Sequence, residues 1–167
     1  RIEPGRKYIV VANHASMLDI PALLALLPDM ALVGREKLLR IPLFGFFLRM
    51  IGYIPIDTEN MRKAGRSMEH AIQTIRRGVT VGLFPEGTRT PTGRVQKLKH
   101  GFIRILRDTG LDLLPITILG TFALKPKHRA TYCPRERIRL VVHEPLRNAL
   151  LAGLSDHDIA EKVRTIL

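Results

Sequence analysis

A histidine and a carboxylate stand five positions apart in Asn13-His14-Ala15-Ser16-Met17-Leu18-Asp19, where a strand-like segment gives way to a helical one. A neutral imidazole accepts a proton near cellular pH. Asp19 could take a hydrogen bond from the other ring nitrogen, fix the tautomer and stabilise the imidazolium that forms. The spacing sets a condition on this pairing. Within one regular helix, five residues would place the two side chains about 140° apart. The pair therefore meets only if His14 lies in the turn before the helix and Asp19 points back from its first turn. Asn13 and Ser16 are both candidate caps at that entry. On residue type alone a structural role for His14 is the simpler account, and the surrounding motif is what argues for chemistry.

A second constellation, Phe84-Pro85-Glu86-Gly87-Thr88-Arg89, follows a buried-looking strand. Gly87 permits a tight turn or the close approach of a ligand, and the forked guanidinium of Arg89 suits phosphate. Glu86 would repel a phosphate, so it is expected to orient Arg89 or the backbone, or to contact an acceptor hydroxyl. Alone, this stretch could be a solvated surface turn. Lys99 is a candidate second phosphate contact, while Lys125, Lys127, His128 and Arg129 form a basic cluster that reads most simply as a solvated face. The Gly-x-Ser-x-Gly nucleophile elbow does not occur, which favours direct attack by a substrate hydroxyl over a covalent acyl-enzyme. His-Glu-x-x-His, P-loop and dinucleotide fingerprints are missing too, and no metal site is expected.

The elements that must hold these residues read as α/β. Strands are expected over 8–12, 30–33, 79–84, 113–119 and 138–142, alternating with helices over 16–27, 58–77 and 102–107 and a final helix capped by Ser155. Such alternation predicts a mixed, largely parallel sheet flanked by helices. At 167 residues, 46% hydrophobic and 25% charged, the chain fits one domain, 1–167. No stretch reaches the roughly 20 apolar residues of a membrane span. Ile41 to Ile51 is the nearest, and it is read either as a core helix or as an amphipathic segment that inserts Phe44, Phe46 and Phe47 into a bilayer.

A net charge of +12 favours anionic partners: nucleic acid, lipid headgroups or phosphorylated substrates. Aromatics at 5% and the lack of an interleaved aromatic–basic platform argue against nucleic acid. Cys133 is the single cysteine, so an internal disulfide is impossible. The chain opens at Arg1-Ile2-Glu3-Pro4 without a signal-peptide pattern or an initiator Met, and residues upstream are expected.

Taken together and in order, the motifs resemble the PlsC-type glycerolipid acyltransferases, the family of the 1-acyl-sn-glycerol-3-phosphate (lysophosphatidic acid) acyltransferases. His14 and Asp19 look like the family's His-x4-Asp block, Gly52-Tyr53-Ile54-Pro55-Ile56-Asp57 its second, Phe84 to Arg89 its third and Leu114-Pro115-Ile116-Thr117 its fourth. Leu98-Lys99-His100-Gly101-Phe102 is similar to the stretch between the last two. The resemblance implies a glycerol-3-phosphate acyltransferase-like fold. It also implies transfer of a fatty acyl group from acyl-CoA or acyl-carrier protein to the 2-hydroxyl of 1-acylglycerol 3-phosphate, with no cofactor beyond that donor. His14 would be the base and Asp19 its partner. Arg89 and Lys99 would hold phosphate while Glu86, Gly87 and Thr88 shape the site. The second block usually continues with arginine after its aspartate, but here Thr58 follows Asp57, and Arg62 one turn on is the candidate substitute. That departure keeps other lysolipids, such as lyso-ornithine lipid, in play as acceptors. A thioesterase using the same His–Asp pair also stays open, whereas a scaffold would need neither residue. By the same resemblance the enzyme would sit on an anionic membrane surface, at the cytoplasmic face of the cell membrane, through an anchor preceding Arg1.

Overall fold

In the computed structural model, which describes residues 2–127, 132–133 and 136–167, the chain runs β1 (Tyr8–Ala12), α1 (Asp19–Leu26), β2 (Ala31–Arg35), a 3-10 helix (Glu36–Arg40), α2 (Phe44–Met50), β3 (Ile54–Ile56), α3 (Met61–Arg76) and β4 (Val81–Leu83). It continues through α4 (Gly101–Thr109), β5 (Asp112–Leu119), α5 (Thr121–Leu124), β6 (Arg139–Val142), α6 (Asn148–Leu151) and α7 (Asp156–Ile166). Among the described residues one six-stranded sheet forms, in the order β3-β2-β4-β1-β5-β6. The first five strands pair in parallel, and β6 joins β5 antiparallel at the edge. This is the mixed, largely parallel sheet that the alternating pattern predicts.

β1 is the reason the sheet is covered on both faces. All five residues of Tyr-Ile-Val-Val-Ala are buried, and their side chains alternate as the pleat demands. Ile9 and Val11 enter one core with Ile72 and Ile75 of α3, Phe102 and Ile103 of α4, and Val163 of α7. Tyr8, Val10 and Ala12 enter the other, where Leu23 of α1 covers them. One face thus carries α3, α4 and α7 together with Leu151 of α6, and the other chiefly α1.

Several expected boundaries shift for local reasons. The first helix starts at Asp19 and not at Ser16, because the Asp19 carboxylate accepts the Ala15 and Ser16 amides and folds the preceding turn back upon itself. β3 is too short to read from pattern, and its Pro55 lacks a donor; the edge of the sheet tolerates it. Ser155 caps α7 as expected, its hydroxyl accepting from the Asp158 amide.

The segment at 41–51 resolves in favour of exposure. Leu48 and Gly45 face inward, and Gly45 is required: a Cβ there would run into the Leu39 carbonyl of the 3-10 helix. Ile41, Leu43, Phe46, Phe47 and Met50 are exposed to solvent.

Candidate active site

Residues of the two motifs meet just past the carboxyl ends of β1 and β4, neighbours at the centre of the sheet. This is where open parallel sheets place their ligands. The chain leaves β1 at Asn13, whose side chain acts as one further rung of the ladder. Its Nδ2 donates to the Ile118 carbonyl at 3.0 Å, and its Oδ1 accepts from the Ile118 amide at 2.7 Å. The expected cap at Asn13 is therefore replaced by a clamp on β5. Ser16, the other candidate cap, does accept weakly from the Leu18 amide, while its hydroxyl donates to the Lys125 carbonyl at 2.7 Å.

His14 and Asp19 satisfy the geometric condition set by their spacing. His14 lies in the turn, and its Nδ1 is 2.8 Å from Asp19 Oδ2. The same oxygen accepts the amides of Ala15 at 2.7 Å and Ser16 at 2.8 Å. A fully buried carboxylate oxygen thus anchors the turn and the imidazole together. With Nδ1 donating to it, Nε2 is left as the acceptor nitrogen. The ring lies flat against Phe84, centroids 4.1 Å apart and planes 17° from parallel.

Glu86 joins the two motifs. It is 3% exposed; Oε1 accepts the His14 amide at 2.7 Å, and Oε2 accepts the backbone and side-chain N–H groups of Gln96 at 2.9 and 3.2 Å. Of the protein partners expected for Glu86, it takes the backbone, and Arg89 is not its partner in any of these bonds. A second strut runs from the Thr90 amide to the His14 carbonyl at 2.8 Å. Gly87 has φ +71°, and a Cβ on it would press on the Lys99 side chain at 3.0–3.1 Å. Glycine is needed at this turn, and Lys99 lies across it.

A cavity of about 240 Å³ opens over the imidazole, lined among others by His14, Ile20, Arg35, Phe84, Thr88 and Arg89. A smaller, mainly apolar cavity shares Arg35, Phe84 and Gly87 with it and adds Lys99, Met68 and Phe102. Arg62 lines neither: it is exposed on the first turn of α3. Thr58, at the position of the missing arginine, borders the second cavity. Of the basic cluster near 125–129, Lys127 lines the first cavity, whereas His128 and Arg129 lie outside the described residues.

Beside Arg89, a second guanidinium reaches the cavity, one that belongs to none of the motifs: Arg35 at the end of β2. It donates to the Gly87 carbonyl at 2.7 Å, and its own carbonyl accepts from the Tyr53 hydroxyl at 3.1 Å. Burial pushes the Tyr53 phenol up in pKa, which keeps it a donor. Gly34 makes room for this contact, since a Cβ there would lie 2.5 Å from the Tyr53 hydroxyl. The available signal was a basic residue closing a buried parallel-strand run, Ala-Leu-Val-Gly-Arg.

Comparison with known proteins bears on the family and the fold. A family model described as Acyltransferase matches residues 1–119. A chloroplastic 1-acyl-sn-glycerol-3-phosphate acyltransferase of Brassica napus is 29% identical over 161 residues, covering 95% of this chain and 47% of its own. The 1-acyl-sn-glycerol-3-phosphate acyltransferase of Borreliella burgdorferi is 31% identical over 114 residues, with 68% and 46% covered. The chain thus spans less than half the length of these two relatives. The crystal structure of the 1-acyl-sn-glycerophosphate acyltransferase PlsC from Thermotoga maritima superposes with a TM-score of 0.83 at 34% identity, covering 99% of this chain and 65% of that one. With the family model spanning most of its length and its fold shared with PlsC, the chain belongs to the acyltransferase family.

Proposed function

We propose that this protein transfers a fatty acyl group from a thioester of coenzyme A or acyl-carrier protein to the sn-2 hydroxyl of 1-acyl-sn-glycerol 3-phosphate, giving phosphatidic acid. The observation that carries this reading is a His14–Asp19 pair at 2.8 Å in a cavity whose wall also holds Arg35 and Arg89. A base and a site for an acceptor's phosphate then stand within one small volume. The names of the relatives in Brassica napus, Borreliella burgdorferi and Thermotoga maritima support the same acceptor.

In the reaction, the acceptor hydroxyl gives its proton to His14 Nε2 as its oxygen attacks the thioester carbonyl carbon. Asp19 holds Nδ1–H and stabilises the imidazolium. Collapse of the tetrahedral intermediate breaks the C–S bond, and the departing thiolate takes the proton from His14. Arg35 and Arg89 bind the acceptor phosphate with charge-assisted hydrogen bonds, and Lys99 contributes from across Gly87. Gly87 and Thr88 shape the turn between them, and Glu86 acts from behind through the His14 backbone. The apolar walls of the paired cavities receive acyl chain, where each buried methylene contributes about 0.8 kcal/mol.

The test is thiol release from palmitoyl-CoA with and without 1-acylglycerol 3-phosphate, products resolved by mass. Release that depends on acceptor and yields phosphatidic acid is expected. Release with free palmitate as the product, whether or not acceptor is present, contradicts the proposal and identifies a thioesterase. A preference for lyso-ornithine lipid over the phosphate acceptor contradicts the assignment of Arg35 and Arg89 as a phosphate site.

A further inference from the structure

The exposed side chains of the 41–50 segment form an ordered surface with no partner among the described residues. Leu43, Phe46, Phe47 and Met50 follow the i, i+3, i+4, i+7 spacing of one helical face. Leu43 is 86% exposed, Phe46 65% and Met50 71%. Isolated exposed apolar residues are ordinary in proteins, but four on one stripe are not. Leu43 adds a second anomaly. It holds φ +59°, the one positive φ outside glycine among the described residues, a conformation that is costly for a branched aliphatic residue. The chain bears that cost at the point where Leu43 projects into solvent.

The stripe is held rigidly. Gly45 brings α2 against the 3-10 helix, the Arg49 guanidinium donates to the Leu39 carbonyl at 3.1 Å, and Leu48 is fully buried beneath. Basic groups lie next to it. Arg40 precedes it and Arg49 lies within it, while Lys37 pairs with Glu59 at 2.5 Å. The base of the same hairpin enters the reaction site, since Lys37 and Leu38 line the cavity over His14.

We infer that the 36–50 hairpin seats on an anionic bilayer, its Leu43–Phe46–Phe47–Met50 face among the acyl chains and Arg40 and Arg49 at the headgroups. In one respect this rests on the proposed lipid acceptor: the hairpin then joins the leaflet that holds this amphiphile to the cavity where it reacts. Its charge suits the cytoplasmic leaflet, whose surface is negative. An apolar stripe flanked by arginines fits a headgroup–acyl boundary. A second copy of this chain would bring the same positive charges face to face.

The chain contains no tryptophan, so Phe46→Trp gives a single reporter at an exposed position on the stripe. Vesicles of phosphatidylcholine alone, and of phosphatidylcholine with phosphatidylglycerol, are added to this variant, and indole emission, quenching by brominated lipid and cosedimentation are followed. The expected result is a blue shift and quenching with the anionic vesicles, weakened by high salt. Adding Leu43→Ser and Met50→Ser should reduce partitioning by roughly tenfold or more with circular dichroism unchanged. Binding to vesicles with unmoved indole emission would assign the contact to another surface and overturn the inference. Failure to bind would also overturn it, as would an emission already blue-shifted in a lipid-free dimer, which would give the face to a second copy. None of these readouts depends on turnover, so an inactive enzyme whose indole reporter still enters the bilayer would overturn the proposed reaction and leave the hairpin's role standing.

Discussion

Glu86 offers the sharpest separation between a residue that touches substrate and one that holds the site together. In Glu86→Gln one carboxylate oxygen becomes an NH2 group. Whichever way the amide turns, that group faces either the His14 amide or the Gln96 amide, and both are donors. One backbone N–H is left without an acceptor at about 1–3 kcal/mol, and the charge assistance of the remaining bonds is lost as well. We expect a net destabilisation of about 2–4 kcal/mol. For a chain of this size that corresponds to a fall in Tm of about 5–15 °C. The His14 peptide is tied at one side by Glu86 and at the other by Thr90, so loosening it also lowers kcat. Scanning calorimetry and acceptor-dependent thiol release on the same preparation measure both effects. An unchanged Tm with a raised KM for acceptor would refute the strut and give Glu86 a direct contact with substrate.

Three other consequences can be checked alongside. Asn13→Ala strips both partners from the buried Ile118 peptide and should cost about 2–4 kcal/mol in urea unfolding with a drop in kcat; normal stability would mean that the β5 clamp is dispensable. Arg35→Ala should raise KM for 1-acylglycerol 3-phosphate by about 10–100-fold, whereas Arg62→Ala should leave it unchanged, and the reverse ranking would move the phosphate site toward α3. Asp57 is held below the usual carboxylate range first by the Asn60 amide and then by the Glu59 amide. A lowered folded-state value contributes stability above the group's ordinary pKa, which is lost as pH falls through the folded-state value. Asp57→Asn should therefore flatten the acid limb of Tm against pH, and an identical limb in the variant would count against that contribution.

Much of the fold was readable because β1 and β5 are short, continuous apolar runs and α3 and α4 carry strongly amphipathic faces. The His14–Asp19 geometry was also readable, since only one placement relative to the helix lets the spacing work. What the motifs hid is the part decided by contacts distant in sequence. Asn13 looks like a cap until Ile118 lies beside it, 105 residues away, and a local rule has no access to that pairing. Arg35 carries no motif, and it matters because the strand order sets β2 beside β4 and so brings the guanidinium to the Gly87 carbonyl. Arg62 stays outside both cavities for the converse reason: one turn along a helix is close in sequence, but Arg62 is exposed there. β3 is three residues with a proline at its centre, recognisable as a strand only through its pairing with Val33 to Arg35.

In the proposed reaction His14 takes the proton from a lipid hydroxyl. Single-turnover acyl transfer from palmitoyl-CoA to 1-acylglycerol 3-phosphate, compared between the wild type and a folded His14→Ala variant, tests it most directly. Phosphatidic acid formation should fall by at least about 10²–10⁴-fold while binding of the acceptor is retained. Phosphatidic acid formed at the wild-type rate by His14→Ala would contradict the claim.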